Sequence, residues 1–182
     1  MGARIRLRGA LAADSARVSM EVTRSALVPY SASDMFDIIE GAEHYPAFLP
    51  WCSEATILSR DESSVEAILG VAWRGVRFKF RTRNPKRRPE WLAVKLAEGP
   101  FRRFEGEWHL RALAPSACKI EFALGYEFDS LLVRSAAGVV FDRITGTFVD
   151  AFIARAEALF GPEAKESAST RAGSPPRVGP LV

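Results

Sequence analysis

Five stretches between residues 20 and 128 alternate apolar and polar side chains one for one, and a chain with that period has to build a sheet with one buried face. From Val76 onward, Val76, Phe78 and Phe80 point one way, while Arg77, Lys79, Arg81 and Arg83 point the other. Phe104, Gly106, Trp108 and Leu110 share a face opposite Glu105, Glu107, His109 and Arg111. Cys118, Ile120, Phe122, Leu124 and Tyr126 line one side, with Lys119, Glu121 and Glu127 on the other. Val65, Ala67, Leu69 and Val71 repeat the pattern over a shorter run, as do Leu92, Val94 and Leu96. Turn-forming residues separate the runs: Asp61-Glu62-Ser63, Arg74-Gly75, Asn84-Pro85 through Pro89, Gly99-Pro100 and Ala114-Pro115-Ser116. The pattern predicts an antiparallel meander, polar outside and apolar inside.

The basic row Arg77, Lys79, Arg81 and Arg83 is expected to meet the acidic groups Glu105, Glu107, Glu121 and Glu127 in cross-strand pairs, each contributing on the order of a few tenths of a kcal/mol. The phenylalanines of that strand face inward, so they are not free to stack on unpaired bases. With a net charge of +3, the chain has too small a basic excess to imply nucleic acid by itself.

Helices bracket the sheet. Ser33 is expected to cap a helix through Asp34-Met35-Phe36-Asp37-Ile38-Ile39, with carboxylates in its first turn. In the segment from Glu43 to Cys52, Pro46 and Pro50 limit any helix to a turn or two. Asp129 to Phe160 reads as one long helix, capped by Ser130 or Asp129 and stopped by Gly161-Pro162. Its apolar stripe is Ala137, Phe141, Ile144, Phe148, Phe152, Ala156 and Leu159, at steps of three and four. Gly138 and Gly146 interrupt it, either for close approach to the sheet or for a bend. The expected architecture is α+β: a curved antiparallel sheet of about seven strands around a long C-terminal helix, with two short helices after the first strand. A curved sheet is rarely filled by one helix, so a cavity is expected between them.

At 182 residues the chain fits one domain with tails. The expected division is a basic leader over 1–19, disordered or removed, a folded domain over 20–161, and a disordered tail over 162–182. The leader's Arg4, Arg6, Arg8 and Arg17 suit either an organelle-targeting peptide or a start codon placed ahead of Met20. Cys52 and Cys118 share no ligand-like spacing with His44 or His109, so no metal site is expected, and the thiols are read as buried in a reducing compartment. Catalysis needs an acid or base within reach of a substrate. The apolar faces carry no Asp, Glu, His or Lys, so an enzyme is not expected.

Specific segments then resemble a known family. TRSALVPYSA (23–32), YPAFLPWC (45–52), FRTRN (80–84), GPF (99–101), GEW (106–108), CKI (118–120) and AFIARA (151–156) are similar, in order, to the coenzyme Q-binding START-like proteins of the polyketide cyclase and Bet v 1-like superfamily. The resemblance spans Met20 to Gly161 and implies a helix-grip fold with a hydrophobic tunnel and no catalytic residues. It implies binding of an isoprenoid quinone, ubiquinone or a related prenyl lipid, by a carrier that supports respiration and quinone biosynthesis and needs no other cofactor. Bacterial members of that family include ribosome association toxins, which implies the alternative of a protein that binds the large ribosomal subunit and blocks subunit joining. A cyclase or hydratase in the same cavity is the further alternative.

The expected cavity lining is Phe36, Tyr45, Phe48, Leu49, Trp51, Phe101, Trp108, Phe141, Ile144, Thr145 and Phe148, with Tyr45 and Thr145 as head-group contacts. A basic docking patch would comprise Arg77, Lys79, Arg81, Arg83, Lys86, Arg87 and Arg88, giving salt-sensitive affinity for phosphate backbones rather than for any specific DNA. The expected location is the bacterial cytoplasm, with peripheral contact at the inner membrane, or alternatively the mitochondrion.

Overall fold

The computed structural model describes residues 20–162, running β1 (Met20–Val28), α1 (Ala32–Glu40), a 3-10 helix (Ala42–Ala47), β2 (Cys52–Arg60), β3 (Ser64–Trp73), β4 (Val76–Arg87), β5 (Trp91–Glu98), β6 (Phe101–Ala114), β7 (Ala117–Phe128) and α2 (Leu131–Phe160). The expected leader over 1–19, the tail from residue 163 and the side chain of Ala137 lie outside the described residues.

The alternating stretches join as one antiparallel sheet of seven strands in the order β1-β7-β6-β5-β4-β3-β2. Consecutive strands from β2 to β7 are neighbours because each connection is short. The β3–β4 turn puts Arg74 and Gly75 at φ 48° and 86°, the left-handed pair that a two-residue hairpin loop requires. β1 returns to the far edge and pairs with β7 from Met20↔Tyr126 to Val28↔Cys118. The inner face carries the predicted apolar rows: Phe104, Trp108 and Leu110 on β6, and Cys118, Ile120, Phe122, Leu124 and Tyr126 on β7, are all buried.

Helix α2 lies against that face. Phe141, Ile144, Phe152 and Ala156 are buried as their spacing predicts, but Leu159, expected in the stripe, is 42 % exposed, and Phe160, four residues after Ala156, packs against the core and Tyr30 in its place. Three polar ties fix the helix: the Arg24 guanidinium donates to the Gly146 carbonyl, the Tyr126 hydroxyl to the Asp142 carboxylate, and the Tyr30 hydroxyl to the Glu157 carboxylate. A side chain at Gly146 would meet open space, so that glycine does not serve a close approach to the sheet. The Gly161 amide donates to Glu157 O at 2.8 Å where the helix ends.

Two local expectations are corrected. The α1 cap is Ser31, not Ser33: the Asp34 amide donates to the Ser31 hydroxyl at 3.0 Å, and that hydroxyl donates to the Asp34 carboxylate at 2.7 Å. The serine thus makes the backbone half of a capping box, while the acid three residues later accepts from the serine hydroxyl. The turn expected from Asn84-Pro85 begins later, because β4 continues through both residues to Arg87. The ladder steps past the proline, which has no N–H, and resumes at Lys86, whose amide donates to Ser63 O at 2.8 Å.

Candidate functional site

Between the inner face of the sheet, α2 and the junction of α1 with the 3-10 helix lies a cavity of about 70 Å³. Its walls are Ile39, Glu40, Ala42 and Tyr45 from the α1 end, Trp51 after it, and Ala67 and Leu69 from β3. Phe80, Thr82 and Asn84 come from β4, Leu92 and Val94 from β5, Phe104 and Trp108 from β6, and Phe122 and Leu124 from β7. Phe141, Ile144, Thr145 and Phe148 from α2 close it. The ring cluster that shapes the wall is tight: the Trp108 and Phe122 centroids are 4.5 Å apart, and Phe122 and Phe148 are 5.3 Å apart. The volume suits a few water-sized groups, against roughly 300–1,000 Å³ for a typical small-molecule site. A prenyl-length ligand therefore needs lining side chains to move. Glu40, Val94 and Phe148 keep partial exposure and mark where the cavity nears solvent.

The polar groups of the wall fall into two kinds. Tyr45 donates to Ile39 O at 2.5 Å, and Thr145 donates to Phe141 O and Asp142 O at 3.1 Å each. Both expected head-group residues thus spend their hydroxyl hydrogens on nearby backbone carbonyls. Thr82 Oγ1 and Asn84 Oδ1 are buried and meet no hydrogen-bond partner. At the same end, Glu40 is paired with Lys86, whose side chain is only 6 % exposed, at 2.5 Å, and with Arg60 at 3.3 Å.

Burial pushes the Tyr45 phenol far up, and burial together with the bond to Asp142 does the same for Tyr126. Burial also pushes the Cys52 thiol up to about 11 and raises that of Cys118. At neutral pH these phenols act as donors rather than bases, and the thiols are not activated nucleophiles. Among the described residues no three of His, Cys, Asp and Glu gather as a metal site would require. The arrangement can enclose an apolar body and hydrogen-bond one polar head.

Residues 28–153 match the family described as polyketide cyclase / dehydrase and lipid transport. The chain belongs to that family. A ribosome association toxin, RatA, of Pseudomonas aeruginosa is 38 % identical over 144 residues, covering 79 % of this chain and 100 % of the relative. The mitochondrial coenzyme Q-binding protein COQ10 homolog B of Xenopus laevis is 26 % identical over 146 residues, covering 78 % of this chain and 60 % of the relative. The Zhui aromatase/cyclase of Streptomyces sp. R1128 shares the fold, with a TM-score of 0.67 at 16 % identity over 78 % of this chain and 95 % of that one. The helix-grip architecture of the polyketide cyclase family, a curved seven-stranded sheet closed by a C-terminal helix, is therefore this chain's architecture.

Against this family frame, the expected lining residues separate. Tyr45, Trp51, Trp108, Phe141, Ile144, Thr145 and Phe148 reach the cavity. Phe36 is fully buried and has the Arg88 guanidinium over its ring. Phe48 packs on Tyr45 and Phe152, with Arg155 over it, and Leu49 is fully buried in the core. Phe101 stacks on Phe128 at 4.9 Å and packs behind the wall residues Phe80, Phe104 and Phe141 without itself lining the cavity.

Glu40, Thr82 and Asn84 are wall residues that the reading by residue class passed over. The signal for the last two was present. In FRTRN the inward period set by Phe80 continues to Thr82 and Asn84, between the outward Arg81 and Arg83.

The expected basic patch is not a continuous field of unpaired cations. Arg81 and Arg83 both bond Glu66, whose carboxyl they hold below its usual range, Arg81 most strongly. Lys79 reaches Glu54 at 2.5 Å across β3, where Gly70 stands between them in register and a side chain would collide with Glu54. Arg87 pairs with Glu90 at 3.1 Å, Arg88 with Asp37, and Lys86 is turned inward to Glu40. Arg77 has no ion pair among the described residues. The acids expected opposite this row sit elsewhere. β5 lies between β4 and β6, which puts Glu105 and Glu107 two strands, about 9.6 Å, away. They bond Arg103 and His109, while Glu121 bonds Lys119 and Glu127 pairs with Arg102. No described helix is long and apolar enough to cross a membrane.

Proposed function

We propose that this chain associates with the ribosome, docking on the large subunit and interfering with subunit joining in the bacterial cytoplasm. The observation that carries this reading is the 38 % identity to a ribosome association toxin along that relative's entire length. The outer face of the sheet supplies suitable chemistry. Lys79 and Arg87 are 66 % and 75 % exposed, and their carboxylate partners Glu54 and Glu90 lie in water, whereas Arg83 holds the buried Glu66. Exposed pairs of this kind contribute about 0–1 kcal/mol, so exchanging a carboxylate for an RNA phosphate costs little. Sedimentation of a lysate through a sucrose gradient tests the proposal. The protein is expected with the large subunit at low salt and released at high salt; its remaining at the top of the gradient at every salt concentration contradicts the proposal.

A second reading, supported by the cavity, is binding of an isoprenoid quinone such as ubiquinone or a related prenyl lipid, as the name of the Xenopus relative suggests. Burying a prenyl chain would contribute roughly 25 cal/mol per Å² of apolar surface removed from water. Glu40 is the one carboxylate of the described wall, and its charge is committed to Lys86 and Arg60. That supports reading the site as one that binds rather than reacts. Native mass spectrometry of protein purified from its host tests it: a bound prenyl lipid is expected, and a mass equal to the bare chain under ligand-retaining conditions contradicts it.

A further inference from the structure

We infer that the cavity selects its ligand through a hydroxyl group, with Thr82 and Asn84 as the reading pair. The ligand class is an amphiphile whose head both donates and accepts a hydrogen bond: a prenyl or alkyl alcohol, or the phenolic, reduced form of a quinone. The inference rests on the reading that the cavity holds an apolar ligand.

The argument begins with two orphaned atoms. Thr82 is 1 % exposed and Asn84 8 %, and neither Thr82 Oγ1 nor Asn84 Oδ1 has a partner. A buried polar atom left without a partner is costly, and such atoms call for an explanation. Both side chains line the cavity, and the apolar residues of β4 and β5 that line it with them, Phe80, Leu92 and Val94, offer no donor. The two positions lie one strand period apart, so both emerge on the inner face, separated by about 6.8 Å of rise. One hydroxyl bonded on both sides, its two bonds near the tetrahedral angle, spans about 4.6 Å between its partners, so the two side chains share it by leaning toward one another along the strand.

The chemistry then discriminates. The Asn84 amide oxygen only accepts, so it requires a donor, and the Thr82 hydroxyl can donate or accept. A ligand hydroxyl serves both at once. An ether or a quinone carbonyl only accepts, can engage Thr82, and leaves Asn84 Oδ1 unsatisfied. The other polar groups of the wall do not compete for this role, because Tyr45 and Thr145 donate to backbone carbonyls and Glu40 is held by Lys86.

The test is a matched pair of probes, farnesol and farnesyl methyl ether, which share an apolar chain and differ in the hydroxyl hydrogen. Trp51 and Trp108 line the cavity, so a change in the intensity or wavelength of intrinsic tryptophan fluorescence reads binding. The alcohol is expected to bind at least about tenfold tighter than the ether, and the gap to close to within about twofold in the Thr82→Val, Asn84→Leu double variant. Thr82→Val alone preserves shape and keeps the comparison available if the double variant does not fold. Equal binding of the two probes to the unmodified protein, or a preference for the ether, overturns the inference while leaving an apolar-ligand site standing. Binding of neither overturns both.

Discussion

The Tyr126 hydroxyl on β7 donates to the Asp142 carboxylate on α2, tying the inner face of the sheet to the helix that closes the cavity. Tyr126 is almost wholly buried while Asp142 is exposed, so the bond links the core to the solvated side of the helix. Loss of the hydroxyl leaves Asp142 able to turn to water, which places the cost near the low end for a bond to a charged group, about 1–2 kcal/mol. Tyr126→Phe is expected to lower the melting temperature by roughly 2–8 °C. Asp142→Asn, which keeps an acceptor, is expected to cost less than Asp142→Ala, and calorimetry on the three variants checks the order.

The orphaned atoms of β4 give an effect of opposite sign. Replacing the Thr82 hydroxyl by the methyl of valine removes an unsatisfied buried polar group without opening a void, so Thr82→Val is expected to raise the stability of the unliganded protein by about 1–2 kcal/mol. A urea titration reads this as a higher midpoint at unchanged slope. Destabilisation by a similar amount would mean that the hydroxyl has a partner in the folded state.

The strand that carries these atoms also shows what sequence can and cannot convey. Its two-residue period is local and was readable from Val76 to Arg83, and continuing it past Phe80 places Thr82 and Asn84 inside. Strand neighbours are not local information. The order β6-β5-β4-β3 decides that Arg81 and Arg83 meet Glu66 rather than Glu105 or Glu107, and charge alternation alone leaves that order open. Asn84-Pro85 carries strong turn chemistry, yet pairing of Val65 and Ser64 with these residues keeps the strand going to Arg87. The size of the cavity depends on how the rings of Trp108, Phe122 and Phe148 interlock, which no period encodes.

Titration is expected to erode stability at both ends of the pH scale. Arg81 and then Arg83 hold the Glu66 carboxyl below its usual value of 4.5, and the Ser63 hydroxyl with the Ser63 and Ser64 amides holds Asp61 at about 2. Folded values below the unfolded ones give stability that is complete above the unfolded pKa and is lost as pH falls through the folded pKa. Cys52 has the opposite displacement, from 9.0 up to about 11, so its contribution is present below 9.0 and lost as pH rises through 11. Tyr126 adds to the alkaline limb in the same sense. Urea midpoints are expected to be flat from about pH 5 to 9 and to fall on either side. Thiol reagents at neutral pH are expected to label Cys52 and Cys118 only on unfolding.

Charge reversal separates docking groups from structural ones. Arg77→Glu, Lys79→Glu and Arg87→Glu together, all exposed and none paired to a buried carboxylate, are expected to weaken ribosome binding at least about tenfold at low salt and to flatten its salt dependence by roughly two to three phosphate contacts. Lys86→Met is expected to destabilise the fold, because it leaves Glu40 short of its nearest partner, with little change in the salt slope. Co-sedimentation at several salt concentrations, alongside thermal melts, distinguishes the two classes.

Light scattering of purified ribosomal subunits mixed in the presence of magnesium measures the proposed activity itself. Large subunits pre-incubated with this protein are expected to join small subunits to a markedly lower extent, in proportion to the protein added, with no effect when it is added to small subunits alone and then removed. Full joining at saturating protein, at the same rate as without it, would contradict the proposed function.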